Sequence, residues 1–336
     1  MIGADIGTYH LVICKRDKDN NFVYKKEINA FIELPITTDR FVFNMMKNAG
    51  VPLIEWKEAG IAYALGEAAV NIAYSMNQLQ LKRPMIRGCL NPQEKNSQQI
   101  MSIMIHSLID TCAPNEGLYY SVPANAVNET TDADYHSLVL KAMFDGFEDD
   151  NKNKVIGNPI NEGLALVYAE LQSKAYTGMG ISFGAGMVNL CFAIFGAPVF
   201  QFSLVNSGDW IDKQSAAATG ESIAFVNKEK NKLDMTVDSE DMVQRAIKAQ
   251  YEIMIHRTVT GIKKGLEDAG NKARTSNPIN VVIAGGTSMP VGFDTAFAKA
   301  LKAASLPIEI GDVIRPADPL YSVARGCLLA AEASVL

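Results

Sequence analysis

The sequence predicts an α/β protein of two related halves, and three observations carry that prediction. A glycine turn between apolar runs stands near the start of the chain, at Asp5-Ile6-Gly7-Thr8, and a similar one follows at Ser182-Phe183-Gly184-Ala185. Each is followed by an apolar strand-like run, Leu11–Ile13 and Leu190–Ala193. The 336 residues suffice for two domains with sizeable cores. A repeat separated by about half the chain suggests a duplicated domain whose two loops face each other across a cleft.

In chain order, Ile2 to Cys14 reads as strand, tight turn and strand, and Lys15 to Asn21 as a charged hairpin loop. Phe22 to Ile36 reads as further extended structure, and about 37–80 as a mixed stretch forming a small inserted subdomain. From Ser97, Ile100, Met101, Met104, Leu108 and Ile109 fall at helical spacing. Tyr119 to Val122 is a short strand. Thr131 with Asp134 resembles a capping box for a helix through Tyr135, Leu138, Val139, Ala142 and Met143. The second half is expected from near Val155, with a helix over about Ile160 to Ser173 and a glycine turn between strands over Gly178 to Phe195. A long helix is expected after Ser239, with Glu240 and Asp241 in its first turn and Gly270 as its stop. Asn280 to Ala284 reads as a buried strand leading into Gly285-Gly286.

Composition narrows the function classes. A net charge of −6 and a pI of about 5.4 argue against a protein that binds nucleic acid by bulk charge. No apolar run approaches the roughly 18–20 residues of a membrane span. Asp5, Lys15 and Arg16 break any signal-peptide pattern. The five cysteines are scattered and form no CxxC, which suits core thiols in a reducing cytoplasm. The four histidines show no metal-ligand spacing and read as structural or surface residues; His10 stands out because it follows the first glycine turn.

Glycine turns between strands let backbone N–H groups approach a phosphate with no side chain in the way. Three occur, at Gly7, at Gly184/Gly186 and at Gly285/Gly286. In their order and spacing the chain resembles the actin superfamily, especially its bacterial actin-like members of the MreB and MamK type. Gly3-Ala4-Asp5-Ile6-Gly7-Thr8 resembles the first phosphate loop, Ile181-Ser182-Phe183-Gly184-Ala185-Gly186 the second, and Asn280 through Met289 the adenosine motif. Ile160 through Tyr168 and Asp318 through Cys327 resemble the two connecting helices. The resemblance covers nearly the whole chain except about residues 20–65 and 195–240.

The resemblance implies an actin-like ATPase fold: two domains, each a mixed sheet flanked by helices, with ATP or ADP and Mg²⁺ in the cleft. It implies a first domain of 1–155 plus 316–336, with a small subdomain at about 33–80. The second domain would be 156–315, with a small subdomain at about 209–258. Gly7, Thr8 and Tyr9, with Gly184, Ala185 and Gly186, would cradle the phosphates. Asp5 would hold Mg²⁺ through water, since a hard cation prefers oxygen ligands. Glu162 would orient or activate the attacking water, with Asp5 as its catalytic companion. Gly285, Gly286, Thr287 and Met289 would border the adenine, with Lys228 and Glu229 near the ribose.

The second loop departs from the family pattern. Ser182 stands where relatives carry an acid, Met187 and Val188 replace threonines, and Asn189 replaces another acid. Gly163 replaces a proline that several relatives carry after the glutamate. Nucleotide binding is therefore expected to survive better than hydrolysis, which would be slow if present. The function implied is a cytoplasmic, self-assembling filament protein whose ATP hydrolysis weakens the polymer. The alternative is a non-hydrolysing nucleotide-binding adaptor of the same fold. A kinase or chaperone ATPase of the wider fold is the weakest reading, because no catalytic Asp motif or substrate-binding domain is evident. Expected partners are further copies of the chain, an adenine nucleotide and, in some settings, an adaptor protein. Direct nucleic-acid binding is not expected, and membrane contact is not indicated.

Overall fold

The computed structural model describes residues 1–36, 40–76 and 79–334. The chain begins with β1 (Ile2–Ile6), β2 (His10–Arg16), β3 (Phe22–Ile28) and β4 (Phe31–Pro35), then α1 (Arg40–Asn48), β5 (Leu53–Trp56), β6 (Ile61–Leu65) and α2 (Gly66–Ser75). It continues with β7 (Met85–Ile86), β8 (Cys89–Leu90), α3 (Ser97–Ile109), β9 (Glu116–Val122), α4 (Ala133–Asp145), β10 (Val155–Asn161) and α5 (Glu162–Glu170). Next come β11 (Gly178–Phe183), β12 (Val188–Ile194), β13 (Ala197–Leu204), α6 (Gly208–Thr219), α7 (Ile223–Lys230) and α8 (Met242–Ala269). The chain ends with β14 (Ile279–Ala284), α9 (Phe293–Ala303), β15 (Ile310–Ile314) and α10 (Ser322–Ala333).

Two five-stranded sheets form the frame, ordered β10-β9-β1-β2-β3 and β13-β12-β11-β14-β15. In the first, β1 runs antiparallel to β2 and parallel to β9; in the second, β11 runs antiparallel to β12 and parallel to β14. The two sheets thus share one strand order, and the sequence echo between Asp5 and Ser182 becomes a structural one. Each residue lies one position before the end of the strand that leads into its glycine turn. Mixed sheets flanked by helices are the fold class that the sequence predicts.

A third, three-stranded sheet, β4-β6-β5, packs with α1 and α2 through Ile32, Leu34, Phe43, Ala62, Ala64 and Ala69. It falls in the stretch expected to form the first small subdomain. The parts of that expectation at 37–39 and 77–78, and residues 335–336 of the expected first domain, lie outside the described residues. The region expected to hold the second small subdomain is helical, made of α6, α7 and the first part of α8.

Between the sheets lie α5 and α10. Helix α5 packs on β11 and β12, α10 on β1 and β9, and the two helices pack on each other. Their buried faces, with Ala165, Leu166, Val167, Val323 and Cys327, form a core linking the halves. Close approach needs glycine here. A Cβ on Gly163 would collide with the backbone of Gly180 and Cys191, and one on Gly326 with the Ala165 carbonyl. Gly163 is therefore where α5 seats on the second sheet. Glu162 keeps its register because the Asn161 side chain caps the helix, accepting from the amides of Gly163 and Leu164.

Local chemistry corrects several boundaries. β10 pairs with β9 along its whole length, so the stretch from Val155 to Asn161 belongs to the first sheet and helix α5 starts at Glu162. Its cross-strand hydrogen bonds override the helical reading of Ile160 and Asn161. Helix α4 is capped by Asp132, which accepts from the Tyr135 amide, and not by Thr131. Likewise Asp241 is the N-cap of the 28-residue α8 and accepts from Gln244, while Gly270 ends the helix as expected. The α8 stripe of Val243, Ile247, Tyr251, Met254 and Ile262 is buried in the second half's core, where Tyr251 and Phe183 pack edge-on against Phe293. Among the described residues no helix is long and apolar enough to cross a membrane.

Candidate functional site

The three glycine turns converge on one cleft of about 400 Å³ between the halves. The first two are built alike. The Gly7 amide donates to the His10 carbonyl at 3.0 Å, and the Gly184 amide to the Met187 carbonyl at 2.9 Å. Among the described residues, no protein acceptor takes the backbone N–H groups of Thr8, Tyr9, Ala185 and Gly186. Two tight turns thus offer free amides to the same space, which suits an anion.

The turns also touch. Thr8 Oγ accepts from the Gly88 amide at 3.1 Å, and a side chain on Gly186 would collide with both groups. The second turn is held from behind: Thr287 Oγ and Ser207 Oγ donate to the Gly184 carbonyl at 2.7 and 2.5 Å, and the Asp209 amide donates to the Ala185 carbonyl at 2.8 Å. Gly285 adopts φ 91°, and a Cβ there would collide with the Phe183 backbone, so this turn requires glycine.

Asp5 and Glu162 share the cleft floor. Ser121 on β9 donates to Asp5 at 2.8 Å and accepts from the Ile6 amide at 2.9 Å. Burial pushes the Asp5 carboxyl up, against the Ser121 hydrogen bond. Burial and then the Asp5 charge push Glu162 up, against hydrogen bonds from Ser182 and Asn189. Two buried acids thus share the floor, and the Asp5 charge adds to the rise of Glu162. Lys230 lines the cleft, but its Nζ lies 2.8 Å from the buried Asp212 carboxylate. His10 also lines it and stays neutral, since burial, Lys26 and Arg83 lower its pKa to about 4.

Of the residues that the sequence singled out, Asp5, Gly7, Thr8, Tyr9, Glu162, Gly184, Ala185, Gly186, Gly285, Gly286, Thr287 and Met289 all line the cleft. Met289 is at the lip, half exposed. Lys228 and Glu229 do not line it: Lys228 is exposed, and Glu229 pairs with Lys232 at 2.6 Å. One helical turn of α7 presents Asn227, Lys230 and Asn231 instead. The i, i+3, i+4 spacing of Asn227, Lys230 and Asn231 is the sequence signal for that face. Sequence reasoning also missed Ser121, which is visible only once β9 pairs with β1, and the Arg83–Asp209 pair. Arg83 Nη1 donates to both Asp209 oxygens at 2.9 Å and stacks over Tyr9, joining the halves at the cleft mouth.

Comparison with solved structures finds the same fold at low identity. A MamK double helical filament aligns with TM-score 0.70 and 16% identity over 98% of both chains. MreB 5 of Spiroplasma citri bound to AMPPNP aligns with TM-score 0.67 and 13% identity over 99% of this chain and 96% of that one. The ethanolamine utilization protein EutJ from Carboxydothermus hydrogenoformans aligns with TM-score 0.51 and 14% identity, over 98% and 88%. Comparison with curated proteins finds no match. The sequence profile of the Volactin family matches residues 1–331, and the chain is accordingly a member of the Volactin family with an actin-like fold.

Proposed function

We propose that this chain is a filament-forming protein that binds an adenine nucleotide with Mg²⁺ in the cleft and hydrolyses it slowly, with hydrolysis weakening the polymer. The observation that carries the reading is the facing pair of turns, with free amides at Thr8, Tyr9, Ala185 and Gly186 above two buried acids, Asp5 and Glu162. Amides of this kind receive phosphate oxygens. The acids call for a hard divalent cation, which Asp5 would hold through water. Bound there, Mg²⁺ would neutralise phosphate charge. Glu162 would orient the attacking water, and Gly285, Gly286, Thr287 and Met289 would border the base. Asn227, Lys230 and Asn231 take over the ribose side from Lys228 and Glu229 in this reading.

Support from relatives is of two kinds. One aligned structure is a MamK filament, and both a non-polymerising MamK mutant and MreB 5 are bound to AMPPNP. The domain division assigned from sequence, with its outer boundary moved past β10, and a cytoplasmic setting complete the proposal. The second reading is a nucleotide-binding adaptor without turnover. It rests on Ser182, a neutral hydroxyl where the first half carries Asp5 at the matching place.

Sedimentation, negative-stain microscopy and phosphate release, run with ATP and Mg²⁺ over a concentration series, test the proposal. Filaments accompanied by slow phosphate release are expected. Tight binding with neither filaments nor release would replace it with the adaptor reading.

A further inference from the structure

Ser182, Asn189 and Ser203 form one polar row across three neighbouring strands. Ser182 on β11 is the register partner of Asn189 on β12, and Asn189 is the partner of Ser203 on β13. All three are buried, at 3%, 1% and 0% exposure, in a sheet otherwise packed with apolar side chains. The row faces Glu162: Ser182, Asn189 and Glu162 line the same cleft, and Ser182 and Asn189 offset part of the rise that burial gives the Glu162 carboxyl. At its other end Ser203 Oγ donates to Asn189 Oδ1.

That last bond fixes a choice. An asparagine amide has an accepting and a donating end, and a flip exchanges them. With Oδ1 held by the Ser203 hydroxyl, Nδ2 is left to donate towards Glu162. Without Ser203, the amide is free to present Oδ1 to the Glu162 carboxyl instead of Nδ2. The backbone of Ser203 is itself tied to the first half: its amide donates to the Asn125 carbonyl at 3.2 Å, and its carbonyl accepts from the Val127 amide at 3.0 Å. Two residues separate residues 125–127 from the end of β9, whose Ser121 holds Asp5. A ring of contacts therefore runs from Asp5 through Ser121 and the 125–127 segment to Ser203, Asn189 and Glu162.

We propose that Ser203 is a positioning residue for nucleotide hydrolysis. It sets the Asn189 amide and thereby the carboxylate of Glu162, and it ties that setting to the docking of the first half on the edge of the second sheet. The proposal rests on the nucleotide-hydrolysing reading above. Ser203 does not itself line the cleft and reaches it only through Asn189, which does, so its effect is expected mainly on turnover, through the setting of Glu162.

The test compares wild type, Ser203→Ala, Ser203→Cys and Ser203→Thr, with affinity for a fluorescent ATP analogue, kcat and KM for phosphate release, and melting temperature measured for each. Cysteine keeps the size but donates weakly, and threonine keeps the hydroxyl on a strand-compatible side chain. The expected result is analogue affinity and KM within about twofold of wild type throughout. In the same set kcat falls about 10-fold or more in Ala and Cys and is restored in Thr, the scale of a misplaced catalytic group. Should the alanine variant fail to fold, the Cys and Thr pair carries the comparison. Equal kcat in wild type and the cysteine variant overturns the positioning role and leaves the hydrolysis reading intact. A wild type that binds the analogue and releases no phosphate overturns hydrolysis, and the role of Ser203 with it.

Discussion

Arg83 and Asp209 are joined by two 2.9 Å hydrogen bonds from a single guanidinium nitrogen, with Arg83 on the first half and Asp209 in the first turn of α6 on the second. The pair spans the mouth of the cleft. Both side chains are about one-third exposed, so the bond is worth about 1 kcal/mol, or roughly fivefold in a rate. Arg83→Ala and Asp209→Asn should each speed release of a bound fluorescent ATP analogue by about that factor, and the double variant should be no faster than either. Stopped-flow displacement measures it, and additive effects in the double variant would show that the two residues act separately.

Ser182→Asp puts a third acid beside Asp5 and Glu162. In EDTA the variant should lose stability by about 1–3 kcal/mol through like-charge repulsion at a buried site. Added Mg²⁺ and nucleotide should recover most of that loss, and phosphate release should rise. Urea melts with and without Mg²⁺, alongside phosphate assays, decide the matter. A loss that Mg²⁺ does not relieve would mean that the acids do not address a cation.

Lys230 and Lys228 are two residues apart and have opposite expectations. Lys230 Nζ sits 2.8 Å from Asp212, with the side chains 11% and 3% exposed, and Asn227 donates to the same carboxylate at 2.7 Å. Lys230→Ala leaves Asp212 buried without its partner and should cost about 3–5 kcal/mol. Lys228→Ala should stay within about 0.5 kcal/mol of wild type. Chemical denaturation of both variants checks the assignment, and similar values for the two would refute it.

His136 should govern acid stability in the first half. Its ring is fully buried with no protein partner for either nitrogen among the described residues, and burial pushes its pKa from 6.5 down to about 4. The unfolded chain therefore takes up the proton first. The stabilisation is complete above pH 6.5 and is lost as pH falls towards 4, by on the order of 3 kcal/mol at most. His136→Leu should flatten this part of the stability curve in urea melts taken across that range. An unchanged slope would assign acid sensitivity to other groups.

The fold class was legible because the glycine turns and apolar strands recur in a fixed order, and a repeated pattern needs no tertiary knowledge. Most of the cleft was legible for the same reason: Asp5, Glu162 and the glycines sit at strand and helix ends that the pattern marks. The failures have local causes. Ile160 and Asn161 precede a helix in sequence, but β9 offers a full hydrogen-bonding edge and wins them for β10. On α7 the mixed run Lys228-Glu229-Lys230 hides which residue faces inward, and only the packing against Asp212 selects Lys230. Ser121 meets Asp5, and Asn189 meets Ser203, only through strand pairing, which a single sequence does not print.

The contact between α5 and α10 has a mechanical meaning. At Gly326 and Ala165 backbone meets backbone, with no side chain standing between the two helices. Interlocking ridges are what usually hold packed helices at one angle, and at this point there are none. The place behaves as a smooth bearing rather than a gear. The other ties between the halves, Arg83 with Asp209 and Ser203 with the 125–127 segment, are hydrogen bonds and not packed side chains.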